Sequence, residues 1–143
     1  MYEDMKQVHS FRMPVEEFTS PNPITASESS SIEELRQMMD ANGIRHLPIV
    51  DHEKVVGIIS DRDLRVVAGL KLADKKMIKA SDLMVRDPLT VSSEMPLDEV
   101  AFEMSSRKVG SVIVNDENDE LLGIFTVTDA LNALIEIARQ TEQ

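Results

Sequence analysis

The stretch NPITASESSSIEELRQMMDANGIRHLPIVD (Asn22–Asp51) decides the reading of this chain, because it occurs twice. Shifted by 65 positions it meets DPLTVSSEMPLDEVAFEMSSRKVGSVIVND (Asp87–Asp116). Pro23 falls on Pro88, Thr25 on Thr90, Ser27 on Ser92, Glu34 on Glu99 and Met39 on Met104. One extra residue then enters the second copy, and Gly57 falls on Gly123, Ile58 on Ile124 and Asp63 on Asp129. The period is too long for a solenoid unit and reads as tandem duplication of a small α/β unit.

Each copy predicts the same elements. A short extended piece carries Pro-Ile-Thr or Pro-Leu-Thr, and a helix follows. In the first copy Ser31 and Glu34 form a capping-box pattern, Ile32, Leu35, Met38 and Met39 share one face, and Asn42-Gly43 supplies a left-handed stop. In the second, Pro96 suits the first helical position, and Leu97, Val100, Ala101 and Met104 repeat the stripe. The methionines read as adaptable core filler. Two β-rich runs come next, His46–Val50 with Val55–Ser60 and Ser111–Val114 with Leu121–Thr126, each pair joined by a polar turn. A closing helix starts near Asp61 and near Thr128. The chain thus divides into an N-terminal arm (1–13), a first repeat (14–69), a charged connector (70–80) and a second repeat (81–140). Neither repeat alone buries much surface, so the two are expected to pack as one pseudo-symmetric body.

Composition narrows the function classes. The chain has 143 residues and a formal net charge of -11, which argues against a nucleic-acid partner, since duplex binding rests on many Lys/Arg–phosphate contacts. Four Phe, one Tyr and no Trp supply no base-stacking platform. No apolar run approaches the ~18 residues of a membrane span, and the N-terminus lacks the apolar core of a signal peptide. Cysteine is absent, which fits a reducing cytoplasm and removes thiolate metal sites and Cys nucleophiles.

The templates of phosphate-binding loops, dinucleotide folds, zinc proteases and serine hydrolases are all missing. His9, His46 and His52 have no ligand spacing. The acidic run Asn115–Glu120 lacks the Gly and distal Glu of a calcium loop and reads as a hairpin turn. No metal site and no required cofactor are expected, and a hydrolase built on Asp61, Asp63 and Asp129 would lack a nucleophile.

What recurs is a hydroxyl three residues before an acid, where strand turns into helix: Ser60-Asp61-Arg62-Asp63 and Thr126-Val127-Thr128-Asp129. One meaning is a helix cap. Another is a ligand grip. Free N–H groups at a helix start attract phosphate, Ser60, Thr126 and Thr128 can donate to it, and Arg62 can pair with it. A carboxylate repels phosphate but accepts two hydrogen bonds from vicinal hydroxyls such as those of a ribose.

With HLPIVDHEKVVGIISDRDL (His46–Leu64), SVIVNDENDELLGIFTVTDAL (Ser111–Leu131) and the openings NPITAS and DPLTVS, the chain resembles tandem CBS domains, the Bateman module, over residues 14–140. The resemblance implies an α/β (α+β) fold of two β-α-β-β-α repeats packed through their sheets with pseudo-two-fold symmetry, associating as a homodimer. It implies a stand-alone regulatory module, not an enzyme, that binds AMP, ADP, ATP or S-adenosylmethionine between the repeats and signals to an effector protein. Carried over residue by residue, one cleft uses Thr126, Thr128 and Asp129 with Thr25, Arg45, His46 and Pro48. The other uses Ser60, Arg62 and Asp63 with Thr90, Gly110 and Ser111. The acids would hold ribose, and Ser60, Arg62, Thr126, Thr128, Arg45 and His46 would face phosphates. Thr25 and Thr90 would flank the base. The pattern is uneven, because Arg45-His46-Leu47-Pro48 becomes Gly110-Ser111-Val112-Ile113. An interaction scaffold with vestigial clefts is the alternative.

Overall fold

A computed structural model describes residues 11–141; most of the N-terminal arm, His9 included, lies outside the described residues. The elements follow in the order β1 (Ser20–Pro21), β2 (Ala26–Ser27), α1 (Ile32–Asn42), β3 (His46–Asp51), β4 (Lys54–Ser60) and α2 (Asp61–Val67). Then come α3 (Leu72–Met77), α4 (Ala80–Leu83), β5 (Val85–Arg86), β6 (Thr90–Ser92), α5 (Leu97–Arg107), β7 (Ser111–Asn115), β8 (Leu121–Thr126) and α6 (Val127–Thr141). A 3-10 turn at Val15–Phe18 precedes β1. None of the described helices is long and apolar enough to cross a membrane.

The strands form two four-stranded sheets, β2-β3-β4-β5 and β1-β8-β7-β6. They belong to two compact units. The contiguous unit is Pro23–Pro88. The split unit joins the residues up to Asn22 with those from Leu89 onward. These units do not follow the sequence repeats. β1 opens the first repeat but pairs antiparallel with β8 of the second, Ser20 opposite Ile124. β5 opens the second repeat but pairs antiparallel with β4 of the first, Val85 opposite Ile58. The leading strands are exchanged reciprocally. The chain passes from one unit to the other at Asn22-Pro23 and Pro88-Leu89. Asn22 and Asp87, equivalent in the repeat, both stand at positive φ (52° and 51°). Asn and Asp tolerate this conformation better than other side chains.

Each unit has its own core. In the contiguous unit, α1 turns Ile32, Leu35 and Met39 onto Leu47, Ile49 and Ile59. Ser31 caps the helix by accepting the Glu34 N–H (3.1 Å), and Gly43 ends it at φ 61°. In the split unit, Leu97, Val100 and Met104 of α5 meet Val112, Val114 and Phe125, with Ala133 and Ile137 of α6. Val15 and Phe11 join this core, so the end of the N-terminal arm packs as part of it. Pro96 stands one place before its expected position, at the N-cap of α5. Lys108 occupies the left-handed place that Gly43 fills in the first copy. The connector is helical at α3, which buries no residue. The hairpin turn at His52 and Glu53 has positive φ at both central residues, as a two-residue hairpin requires.

The aligned glycines are explained by the strand exchange. A Cβ on Gly123 would collide with the backbone carbonyl of Ser20 and lie 2.8 Å from Thr19 Cγ2. A Cβ on Gly57 would lie 2.6 Å from Met84 Sδ, with Met84 Cγ and Cβ at 2.8 and 3.0 Å, all of them side-chain atoms. Backbone cannot retreat without breaking the β1–β8 pairing, whereas the thioether can change rotamer. Gly57→Ala is therefore expected to lower stability by about 1–2 kcal/mol and Gly123→Ala by more, about 3 kcal/mol. Equilibrium urea unfolding checks this order; equal losses would contradict the account.

Candidate functional site

Both hydroxyl–acid turns fold identically. Ser60 N–H and Ser60 Oγ–H donate to Asp63 Oδ2 (2.8 and 3.0 Å), and Asp63 N–H returns a bond to Ser60 Oγ (3.3 Å). Thr126 N–H and Oγ1–H donate to Asp129 Oδ2 (2.9 and 3.0 Å), and Asp129 N–H donates to Thr126 Oγ1 (3.2 Å). This reciprocal capping box satisfies two donors at the helix start. Strand pairing sets its place: Ser60 lies opposite His46, and Thr126 opposite Ser111.

The cap defines what each group has left to offer. The hydroxyls of Ser60 and Thr126 donate to the acids, a bond that competes with the expected donation to phosphate. The first helical amides are committed too: Asp61 N–H donates to the Arg45 carbonyl (2.9 Å) and Val127 N–H to the Gly110 carbonyl (3.1 Å). Side-chain donors that remain toward solvent are exposed Arg62 and Thr128. Asp61 is drawn instead to Arg65, one helical turn on (3.4 Å). Each acid, half-buried, spends the lone pairs of Oδ2 on the cap and keeps Oδ1 for other partners. Asp129 Oδ1 accepts a bond from Ser20 Oγ (3.4 Å), a residue absent from the expected set. Its signal in the sequence was only that position 20 is Ser where its repeat mate is Val85.

Within the contiguous unit, β3 and the α2 start bring Arg45, His46, Ser60, Arg62 and Asp63 to one end of the hairpin. Within the split unit, Gly110, Ser111, Thr126, Thr128 and Asp129 gather in the same way. Thr90 pairs with Ile113 farther along β7, and Thr25 directly precedes β2. Pro48 is fully buried and Ser111 nearly so. His46 is half-buried, and burial lowers its pKa below 6.5; Asp61 and Asp63 oppose the shift, and Arg45 adds to it. Burial thus disfavours the imidazolium and suits His46 to act as a hydrogen-bonding group.

A cavity of about 270 Å³ opens elsewhere in the split unit, where Thr90 meets Asp116, Glu117 and Asp119. Its carboxylates disfavour phosphate. They serve the turn: Asp116 Oδ1 accepts the Asn118 and Glu120 N–H groups (2.8 and 3.0 Å). Among the described residues no group of carboxylates and imidazoles is placed to hold a metal ion.

Comparison with known proteins agrees with this geometry. The family model of the CBS domain matches residues 15–68 and 80–136. The chain is 37% identical over 116 residues to the L-aspartate semialdehyde sulfurtransferase of Methanocaldococcus jannaschii, which covers 80% of this chain and 22% of that protein. It spans about a quarter or less of the length of the enzymes it matches. Among solved structures it is similar to the CBS domain pair of protein MJ0100 in complex with 5'-methylthioadenosine and S-adenosyl-L-methionine. That match has 34% identity and a TM-score of 0.75, and covers 86% of this chain and 95% of that one. It is also similar to CBSX2 in complex with AMP, at 26% identity and a TM-score of 0.76 over 88% of this chain and 98% of that one.

The buried imidazole has a consequence for stability. Its folded pKa is lowered, so the unfolded chain binds the proton more readily. The contribution is complete above 6.5 and is lost as pH falls through the folded value. Unfolding free energy is expected to fall as pH drops below 6.5, and less steeply in His46→Gln. Urea titrations across that window test it; identical slopes would remove His46 as the cause.

Proposed function

The chain belongs to the CBS domain family, and on that premise we propose that it is a regulatory module whose ligand is an adenosine-containing small molecule: AMP, ADP, ATP or S-adenosylmethionine. One observation carries the reading: the same hydroxyl–acid cap is built twice, and in each the helix needs only one carboxylate oxygen. The other is available to the vicinal hydroxyls of a ribose. Arg62 and Thr128 stand one residue before the acids, on the exposed side, where they suit the phosphate or another 5' substituent. Arg45 and His46 add further donors, in the set that holds Asp129. Complexes of AMP and of S-adenosyl-L-methionine with similar CBS proteins support this ligand class.

The two ligand sets are those the family resemblance groups: Asp129, Thr126 and Thr128 with Thr25, Arg45, His46 and Pro48, and Asp63, Ser60 and Arg62 with Thr90, Gly110 and Ser111. In this reading the hydroxyls of Ser60 and Thr126 fix the acids and do not touch phosphate. The module performs no chemistry; ligand shifts its conformational population and an effector protein responds. A homodimer in the cytoplasm completes the proposal. On α6, Val127, Leu131, Leu134 and Ile135 form an apolar stripe about half exposed, opposite the buried Ala133 and Ile137. That stripe is also the observation favouring a second reading, an interaction scaffold whose clefts stay empty.

Calorimetry with the four ligands decides between them. At least one is expected to bind; no binding by any at millimolar concentration would overturn the ligand reading in favour of the scaffold. Asp129→Ala is expected to weaken ribose-containing ligands about tenfold or more, the scale of hydrogen bonds to a charged group. It should affect inorganic phosphate little.

A further inference from the structure

The two hydroxyl–acid turns are near copies, but the residue standing beside each acid is not. In the split unit Ser20 Oγ donates to Asp129 Oδ1 at 3.4 Å. The exchanged strand puts it there. Ser20 pairs with Ile124, two residues before the capping Thr126, and its carbonyl rests against the bare Cα of Gly123. In the contiguous unit β5 runs the same course, and Val85 pairs with Ile58, two residues before Ser60. Val85 has a branched alkyl group that neither donates nor accepts, and its side is largely exposed.

We propose that Ser20 is a positioning residue for Asp129, making the Asp129 turn the tighter and more ribose-dependent of the two. This rests on the reading of the acids as ribose ligands. With Oδ2 pinned by the cap, the contact from Ser20 fixes the direction of Oδ1 before a ligand arrives. Ser20 Oγ also keeps lone pairs that can accept a hydrogen bond from the second of the two vicinal ribose hydroxyls. Among the described residues Asp63 has only the cap, and it must order its second oxygen on binding, which weakens affinity. At 3.4 Å between exposed groups the Ser20 bond is long and contributes little to folding. Its effect is therefore separable from stability.

Calorimetry on the full chain with AMP and with 2'-deoxy-AMP tests this in wild type, Ser20→Val, Val85→Ser, and Ser20→Val combined with Asp129→Asn. Ser20→Val is expected to weaken AMP by about three- to tenfold, the worth of one hydrogen bond. It should weaken 2'-deoxy-AMP less, with an unchanged urea midpoint. Val85→Ser should strengthen the weaker site. In the Asp129→Asn background, Ser20→Val should add no further loss. Equal losses for both nucleotides, or a loss that persists without the acid, would overturn the inference. Wild-type protein that binds AMP with no response to Ser20→Val refutes the positioning role alone. If wild-type protein binds another of the four ligands instead of AMP, the same variants are compared with that ligand and its 2'-deoxy analogue; binding of none of the four removes the ribose premise and the inference together.

Discussion

A carbonyl oxygen lying where a side chain would otherwise begin is the constraint on which the split unit depends. Gly123 has no Cβ, so Ser20 can approach β8 closely enough to pair with it. That pairing anchors the edge of the sheet, and through it the chain before Asn22 joins a core two-thirds of a chain away. Gly57 plays the corresponding part for β5, but there the neighbour is the side chain of Met84. The duplication preserved both glycines because both sheets take their fourth strand from the other repeat. The difference in what each glycine faces is a further sign that the copies have diverged.

The capping box links fold and site through the same atoms. Three hydrogen bonds stop the strand, start the helix and fix the acid. A ligand that uses the remaining oxygen meets a carboxylate already oriented, so little ordering is left to be done on binding. The cap thereby makes structural and binding roles compatible. It also redistributes the roles of neighbours: the hydroxyl nearest the acid is consumed, and Arg62 and Thr128 become the outward-facing groups.

Much of this was legible in the sequence for a physical reason. Repeats report themselves through register, and strand–turn–strand runs and helical stripes have strong periods. The hairpins at His46–Ser60 and Ser111–Thr126, the helices carrying Leu35 and Val100, and the hydroxyl–acid turns all follow from such signals. The exchange of β1 and β5 did not, because two-residue strands such as Ser20–Pro21 have no period to read. The connector helix at Leu72–Met77 was missed since it buries nothing and leaves no amphipathic trace. The lowered pKa of His46 depends on burial in the folded chain, which composition alone does not disclose. Which hydroxyl protons are free is likewise a matter of angstroms, and spacing cannot tell a cap from a grip.

The exchanged strands also give the two units unequal histories during synthesis. One unit is continuous from Pro23 to Pro88 and has every part of its sheet once β5 leaves the ribosome. The other begins first and finishes last: Ser20 waits for Asp129, 109 residues downstream. Contacts so remote are slow to form because a long loop must close before they stabilise anything. The inner unit, folding early, shortens that loop by gathering the intervening chain into a compact body. Connectivity thus implies an order of assembly in which the contiguous unit can complete its sheet before the chain that finishes the split unit has been made.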